Sequence, residues 1–73
     1  MIEDKRVAKG VLDAALAASK ELNGCLFDVV KSCSDGEISR TKQAIGKCMD
    51  ELLFELINPI LQQHPDLKPP EMK

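Results

Sequence analysis

The sequence predicts an all-α protein, a two-helix antiparallel hairpin with helices over about residues 4–32 and 35–63. Apolar residues recur at helical spacing in both halves of the 73-residue chain. A helix-start signal stands near the midpoint, and the arms on either side of it have similar lengths. Because so small a chain buries little surface by itself, we expect two hairpins to dimerise into a four-helix bundle.

The bend is predicted where Ser34 is followed three residues later by Glu37. This is the spacing of a capping box, in which the serine hydroxyl accepts from the Glu37 N–H and the glutamate reaches back to the Ser34 N–H. Cys33 and Ile38 flank the pair at the spacing of a hydrophobic staple, which sets the direction in which the chain enters the second helix.

The first helix is predicted to bury an apolar stripe against the second. The stripe consists of Val7, Val11, Ala14, Ala18, Leu22, Cys25 and Val29, and it is widened by Ala15, Leu26 and Cys33. Asn23-Gly24 is a turn signal inside this helix, so a three-helix protein broken at Gly24 is the alternative. The stripe crosses Asn23-Gly24 without a change of phase, which favours one continuous helix.

The second helix is predicted to carry the matching stripe of Ile38, Ile45, Met49, Leu52, Leu53, Leu56 and Ile60. Pro59 interrupts it, because proline lacks the amide donor and its ring clashes with the preceding turn. Either the helix kinks there, or it ends at Ile57 and Asn58 caps a new turn. Residues 1–64 are then the helical hairpin domain, and residues 65–73 are predicted to be an extended, flexible, proline-containing tail.

Each predicted helix also carries a second apolar band that one hairpin cannot cover. The predicted oligomer interface consists of Leu12, Leu16, Phe27, Val30, Phe54, Ile57 and Leu61. A helix that is apolar over more than half of its circumference is usually enclosed on more than one side. We therefore expect a homodimer, and a second protein is the other partner that could cover the band.

Composition narrows the functional classes. The chain is 44% hydrophobic and 30% charged, which is typical of a folded protein and too apolar for a disordered one. The net charge of −2 provides no general attraction to nucleic acid or to an anionic membrane. The apolar stretches are too short to span a bilayer, and no signal-peptide pattern is present, so a cytoplasmic location is expected.

The residues that could bind metal or act in catalysis are few. Cys25, Cys33, Cys48 and His64 lack the closely spaced pairs of structural zinc sites, so no metal and no cofactor are expected. Cys25 and Cys48 are predicted to be core residues with free thiols. His64 is expected to sit at a helix C-terminus, where its charge would favour the helix dipole. No residue set suggests a catalytic centre, so the protein is not expected to be an enzyme.

In size and plan the chain resembles Rop, a plasmid RNA-regulating protein that dimerises two hairpins into a four-helix bundle. The resemblance covers the architecture of the two arms and transfers no residue roles. The predicted function is that of a small non-enzymatic interaction or adaptor protein, acting through self-association and protein contacts. The alternative is a small RNA- or DNA-binding regulator of Rop-like architecture, using the basic residues Lys31, Arg40, Lys42 and Lys47 near the bend.

Overall fold

The computed structural model describes residues 1–68, and these form an all-helical hairpin without strands. Helix α1 spans Lys5–Ser32, and α2 spans Asp35–Glu51. A π-helical segment over Leu52–Ile57 joins α2 to α3, which spans Asn58–Gln63. The predicted all-α hairpin is confirmed for these residues. No helix within them has the length and apolarity needed to cross a membrane.

Helix α1 is continuous from its cap to the bend. Asp4 begins it by accepting hydrogen bonds from the backbone N–H groups of Arg6 and Val7, at 2.9 and 3.2 Å. The helix passes through Asn23-Gly24 without a break, so the three-helix alternative is wrong. Leu22 and Leu26 on either side of Gly24 are both half-buried. Their packing offsets the cost of about 1 kcal/mol that an interior glycine imposes on a helix.

The bend contains both hydrogen bonds of the predicted capping box. The Glu37 backbone N–H donates to Ser34 Oγ at 3.3 Å, and the Ser34 N–H donates to Glu37 Oε1 at 2.9 Å. The Ser34 hydroxyl also donates to Glu37 Oε1 at 3.0 Å. The backbone bond, followed by the hydroxyl bond, lowers the pKa of the Glu37 carboxyl below its usual value. The sequence of the bend therefore defines where α2 begins.

Pro59 widens the helix before it and does not end it. The Asn58 N–H donates to the Leu53 carbonyl, five residues back, as in a π-helix. The longer reach makes room for the proline ring, which would otherwise clash with the Glu55 carbonyl. Asn58 has helical angles (φ −62°, ψ −47°), and the α3 start has no side-chain cap. The alternative of a helix that ends at Ile57 with Asn58 as a cap is therefore wrong.

The hydrophobic core lies at the end of the hairpin farthest from the bend. Its buried residues are Ala8, Leu12, Ala15, Ile57 and Ile60. Leu52, Leu53 and Leu56 pack against it from the second arm. Helix α2, which lies between the bend and the π-helical segment, contains no buried residue. Packing is thus concentrated in one half of the molecule.

Two of the predicted interface residues, Leu12 and Ile57, belong to this core and not to an outer surface, with 1% and 4% of their areas exposed. On α1 the buried positions recur at alternating steps of four and three residues, which turns the contact stripe away from Val7 and Ala14. On the second arm, the π-helical segment turns each residue through a smaller angle than an α-helix does, and Ile57 rotates inward.

The ends of the hairpin are joined by polar contacts. The Ile2 N–H donates to Gln63 Oε1 at 3.0 Å, and His64 Nε2 lies 2.8 Å from the Ile2 carbonyl oxygen. Lys5 and Asp66 form an ion pair. The hydrogen bond from Lys5 is the main cause that lowers the pKa of Asp66. We define these residues as the terminal clasp.

The prediction of an extended segment after His64 is wrong for its first residues. Pro65–Leu67 forms a 3₁₀ turn, and Leu67 packs against the core. The turn is held by the clasp, because Asp66 pairs with Lys5 of α1. The rest of the predicted tail, residues 69–73, lies outside the described residues.

Candidate interaction surface

Large hydrophobic side chains remain exposed on both arms. Phe27, Val30 and Phe54 expose 65%, 49% and 63% of their areas, and all three belong to the predicted interface. Leu16 and Leu61, which also belong to it, are half-buried and pack at the margin of the core. Leu12 and Ile57 are buried in the core, and the other five of the seven predicted interface residues are at least partly exposed.

Three apolar residues of α1 outside the buried core share one side of the helix with Asn23. Leu16, Asn23, Phe27 and Val30 follow the spacing i, i+7, i+11 and i+14, which places them on one side of a helix. We call these four residues the outer face of α1. Asn23, Phe27 and Val30 also line an open depression of about 310 Å³, together with Leu26 and with Lys42 from α2. The depression is therefore floored by apolar side chains and bordered by a cation.

Phe54 forms a separate apolar patch on the π-helical segment. Leu52 and Leu56, two positions before and after it, pack against the core. Residues two positions apart point to roughly opposite sides of a helix, so Phe54 points away from α1. This patch and the outer face of α1 are thus different surfaces of the hairpin.

The hairpin exposes more surface than a compact protein of its size. Its accessible area is 5439 Å², and its dimensions are 45 × 21 × 19 Å. A compact monomer of this mass, 8.0 kDa, exposes about 4,450 Å² by the usual scaling of area with mass. The elongated shape of the hairpin accounts for the direction of this difference, because an elongated body has more surface for its mass than a compact one.

The cysteines are placed differently from the prediction. Cys25 and Cys48 were predicted in the core, but these two and Cys33 are all exposed, and all three thiols are free. The reason is that the core does not extend into the half of the hairpin near the bend, where Cys25 lies. Within residues 1–68, no group of three or more metal-binding side chains comes together.

His64 occupies the C-terminal cap of α3, as expected, but its side chain has a different partner. Because the Ile2 oxygen is a carbonyl, the His64 ring nitrogen at 2.8 Å must be the donor, which assigns the proton to Nε2. The ring is thereby part of the terminal clasp. Sequence patterns contain no signal for this contact beyond the similar lengths of the two arms, which bring the two ends together.

Charges around the bend are mixed in sign. Lys31, Arg40 and Lys42 are exposed, and so are the acidic residues Asp28 and Asp35 between or beside them. Interspersed carboxylates cancel much of the field that would attract a phosphate backbone. The two phenylalanines, Phe27 and Phe54, lie on different surfaces, so they do not form a platform for stacking bases.

Comparison with known proteins found no match among family models, curated proteins or solved structures.

Proposed function

We propose that the chain is a small non-enzymatic interaction protein that associates with itself through exposed apolar residues of the hairpin. The observation that carries the proposal is the exposure of Phe27 and Phe54, at 65% and 63% of their areas, on a chain with only five buried residues among those described. Exposed apolar surface of this kind marks protein–protein interfaces.

Thermodynamics supports association over an isolated hairpin. A domain of this size buries roughly 60% of the surface of its unfolded chain and is marginally stable. Burying a large apolar side chain contributes about 1.5–3 kcal/mol. Covering Phe27, Val30 and Phe54 would therefore add several kcal/mol to a folded state that gains little from its own core.

The two separate apolar surfaces of the hairpin allow a second role, which is binding to a different protein. A self-associated hairpin that covers one of its apolar surfaces keeps the other available for a different protein. The outer face of α1 and the Phe54 patch lie on different sides of the hairpin, so one can mediate self-association while the other contacts a partner. This is the adaptor function that we propose.

The test measures thermal unfolding at protein concentrations from about 1 to 500 µM. Association stabilises only the folded state, so the melting temperature should rise with concentration. The double variant Phe27→Asp, Phe54→Asp should lose this dependence, because an unpaired charge in an apolar interface is costly.

The matched control is Glu21→Gln, an exposed carboxylate on another side of α1 from Phe27, which should keep the concentration dependence of the wild type. A melting temperature that is independent of concentration in the wild-type protein would contradict self-association.

A further inference from the structure

We propose that two copies of the chain pack α1 against α1 in antiparallel orientation, with Leu16 of each copy opposite Phe27 of the other and Asp13 opposite Lys31. The inference rests on the self-association proposed above and specifies the surface and the register that it uses. A second copy of this chain is the occupant of the outer face of α1.

The four residues lie on one side of α1. Leu16 and Phe27 are 11 residues apart, close to three full turns, and Asp13 and Lys31 are 18 residues apart, which is five turns. Phe27 exposes 65% of its area, and the Asp13 side chain exposes 57%. Leu16 is half-buried and Lys31 is exposed. One helix face therefore carries two apolar side chains flanked by Asp13 and Lys31, with Lys20 between them. In the proposed register Lys20 lies opposite Asn23 of the second copy.

A two-fold axis through α1 near residues 21 and 22 makes this face complementary to itself. Leu16 and Phe27 are at equal distances on either side of the axis. The midpoint between Asp13 and Lys31 lies within half a residue of the axis. In a two-fold interface every contact occurs twice. The second copy thus provides two contacts between leucine and phenylalanine and two ion pairs from the same register.

Neighbouring registers do not share this complementarity. Sliding one helix by about one turn in one direction places Lys20 opposite Phe27 of the second copy. Sliding it by about one turn in the other direction places Asp13 opposite Phe27. Either change puts a charge against the largest exposed apolar side chain of α1, which costs free energy unless the charge finds a partner. Charge patterns of this kind select the register of paired helices.

The two charged side chains, Asp13 and Lys31, differ in their partners within the single hairpin. Asp13 forms an exposed ion pair with Lys9 of its own helix, whose Nζ lies 2.9 Å from Asp13 Oδ2, so Lys31 of a second copy would share this carboxylate. Within the described residues 1–68, Lys31 has no ion pair, so its charge is available to a second copy.

Charge reversal tests the register by sedimentation equilibrium. Asp13→Lys and Lys31→Asp should each weaken dimerisation about tenfold or more, because each replaces two attractive pairs by two repulsive ones. The double variant D13K/K31D should restore the affinity to within about threefold of the wild type, because both pairs are attractive again. Glu21→Lys makes the same change in net charge as Asp13→Lys but lies on another side of α1, and it should leave the affinity unchanged.

A second measurement reports the contact directly. In one chain, Leu16 and Phe27 are separated by about 16 Å along the helix axis, too far for a nuclear Overhauser effect between their side chains. A mixture of isotopically labelled and unlabelled protein should therefore show an intermolecular effect between the Leu16 methyl groups and the Phe27 ring.

The outcomes separate the register from self-association itself. Rescue in D13K/K31D together with the intermolecular effect supports the proposed packing. A dimer that shows neither the rescue nor the intermolecular effect overturns the register, while the proposed self-association stands. The same conclusion follows if Phe54→Asp dissociates the dimer and Phe27→Asp does not. A wild-type protein that stays monomeric overturns both.

Discussion

Replacing Leu12 by alanine distinguishes the core of one hairpin from a surface between two copies. Leu12 exposes 1% of its area and belongs to the same cluster as Ile57 and Ile60. Truncating a fully buried leucine costs about 2–5 kcal/mol, the sum of lost transfer free energy and an unfilled cavity. A chain of this length has a total stability of roughly 4–11 kcal/mol, so the change removes a large part of it.

Thermal unfolding followed by circular dichroism measures this effect. For domains of this size, 1 kcal/mol corresponds to about 4–8 °C, so Leu12→Ala should lower the melting temperature by at least about 8 °C. The loss should be present at the lowest concentration at which the protein can be measured. Phe27→Ala is the control, because it removes an exposed side chain, and at that concentration its effect should stay within about 0.5 kcal/mol.

The reverse pattern would refute the assignment of Leu12 to the core. If Leu12→Ala cost less than about 1 kcal/mol at low concentration and became destabilising only where the protein associates, Leu12 would lie at the interface. The packing of α1 at alternating steps of four and three residues would then be wrong as well.

Three further predictions concern the bend, the thiols and nucleic acid. Ser34→Ala should cost about 0.5–2 kcal/mol in urea unfolding through loss of the cap. Because the pKa of Glu37 is lowered in the folded state, the contribution of Glu37 to the free energy of unfolding is complete above the ordinary pKa of 4.5 and should fade as the pH falls through the lowered value. Glu37→Gln should remove this part of the pH dependence. The purified protein should hold no stoichiometric metal, and a chelator should leave its melting temperature unchanged; one equivalent of zinc lost together with helical structure would contradict this. Gel shifts with bulk RNA should show no binding at micromolar protein and low salt, and binding that weakens as salt rises would favour the alternative of a nucleic-acid regulator instead.

The parts of the fold that local sequence patterns determine were predictable. The capping box of Ser34 and Glu37 places the start of α2, and the apolar spacing on both sides of it predicts two helices with nearly the observed limits. The stripe of the second arm was also predicted well, because Ile38, Ile45 and Met49 are all half-buried. In each case the signal lies within a few residues along the chain.

The side of each helix that faces the core was harder to predict. On α1, alanines occur on several sides, so Ala8 could not be distinguished from Ala14 by hydrophobicity alone. On the second arm, the effect of Pro59 was foreseen as a kink or an end, whereas the chain responds with a π-helical segment that rotates Ile57 inward. Such a change of phase depends on backbone accommodation and has no periodic pattern.

The contacts of the candidate surface depend on tertiary structure. The exposure of Phe27, Val30 and Phe54 agrees with the predicted outer band, while the exposure of Cys25 and Cys48 does not. Both outcomes follow from a core that is limited to one half of the hairpin. The terminal clasp, with His64 bonded to Ile2, likewise joins residues whose proximity exists only after the two arms have packed.

Sedimentation equilibrium of the wild-type protein tests the central claim most directly. The mass of one chain is 8.0 kDa. At protein concentrations of about 100 µM the account predicts a mass twice that of one chain, which decreases towards the monomer value on dilution because association follows mass action. A mass equal to one chain over the whole range, with the helical signal intact, would contradict the claim that the exposed apolar residues mediate self-association.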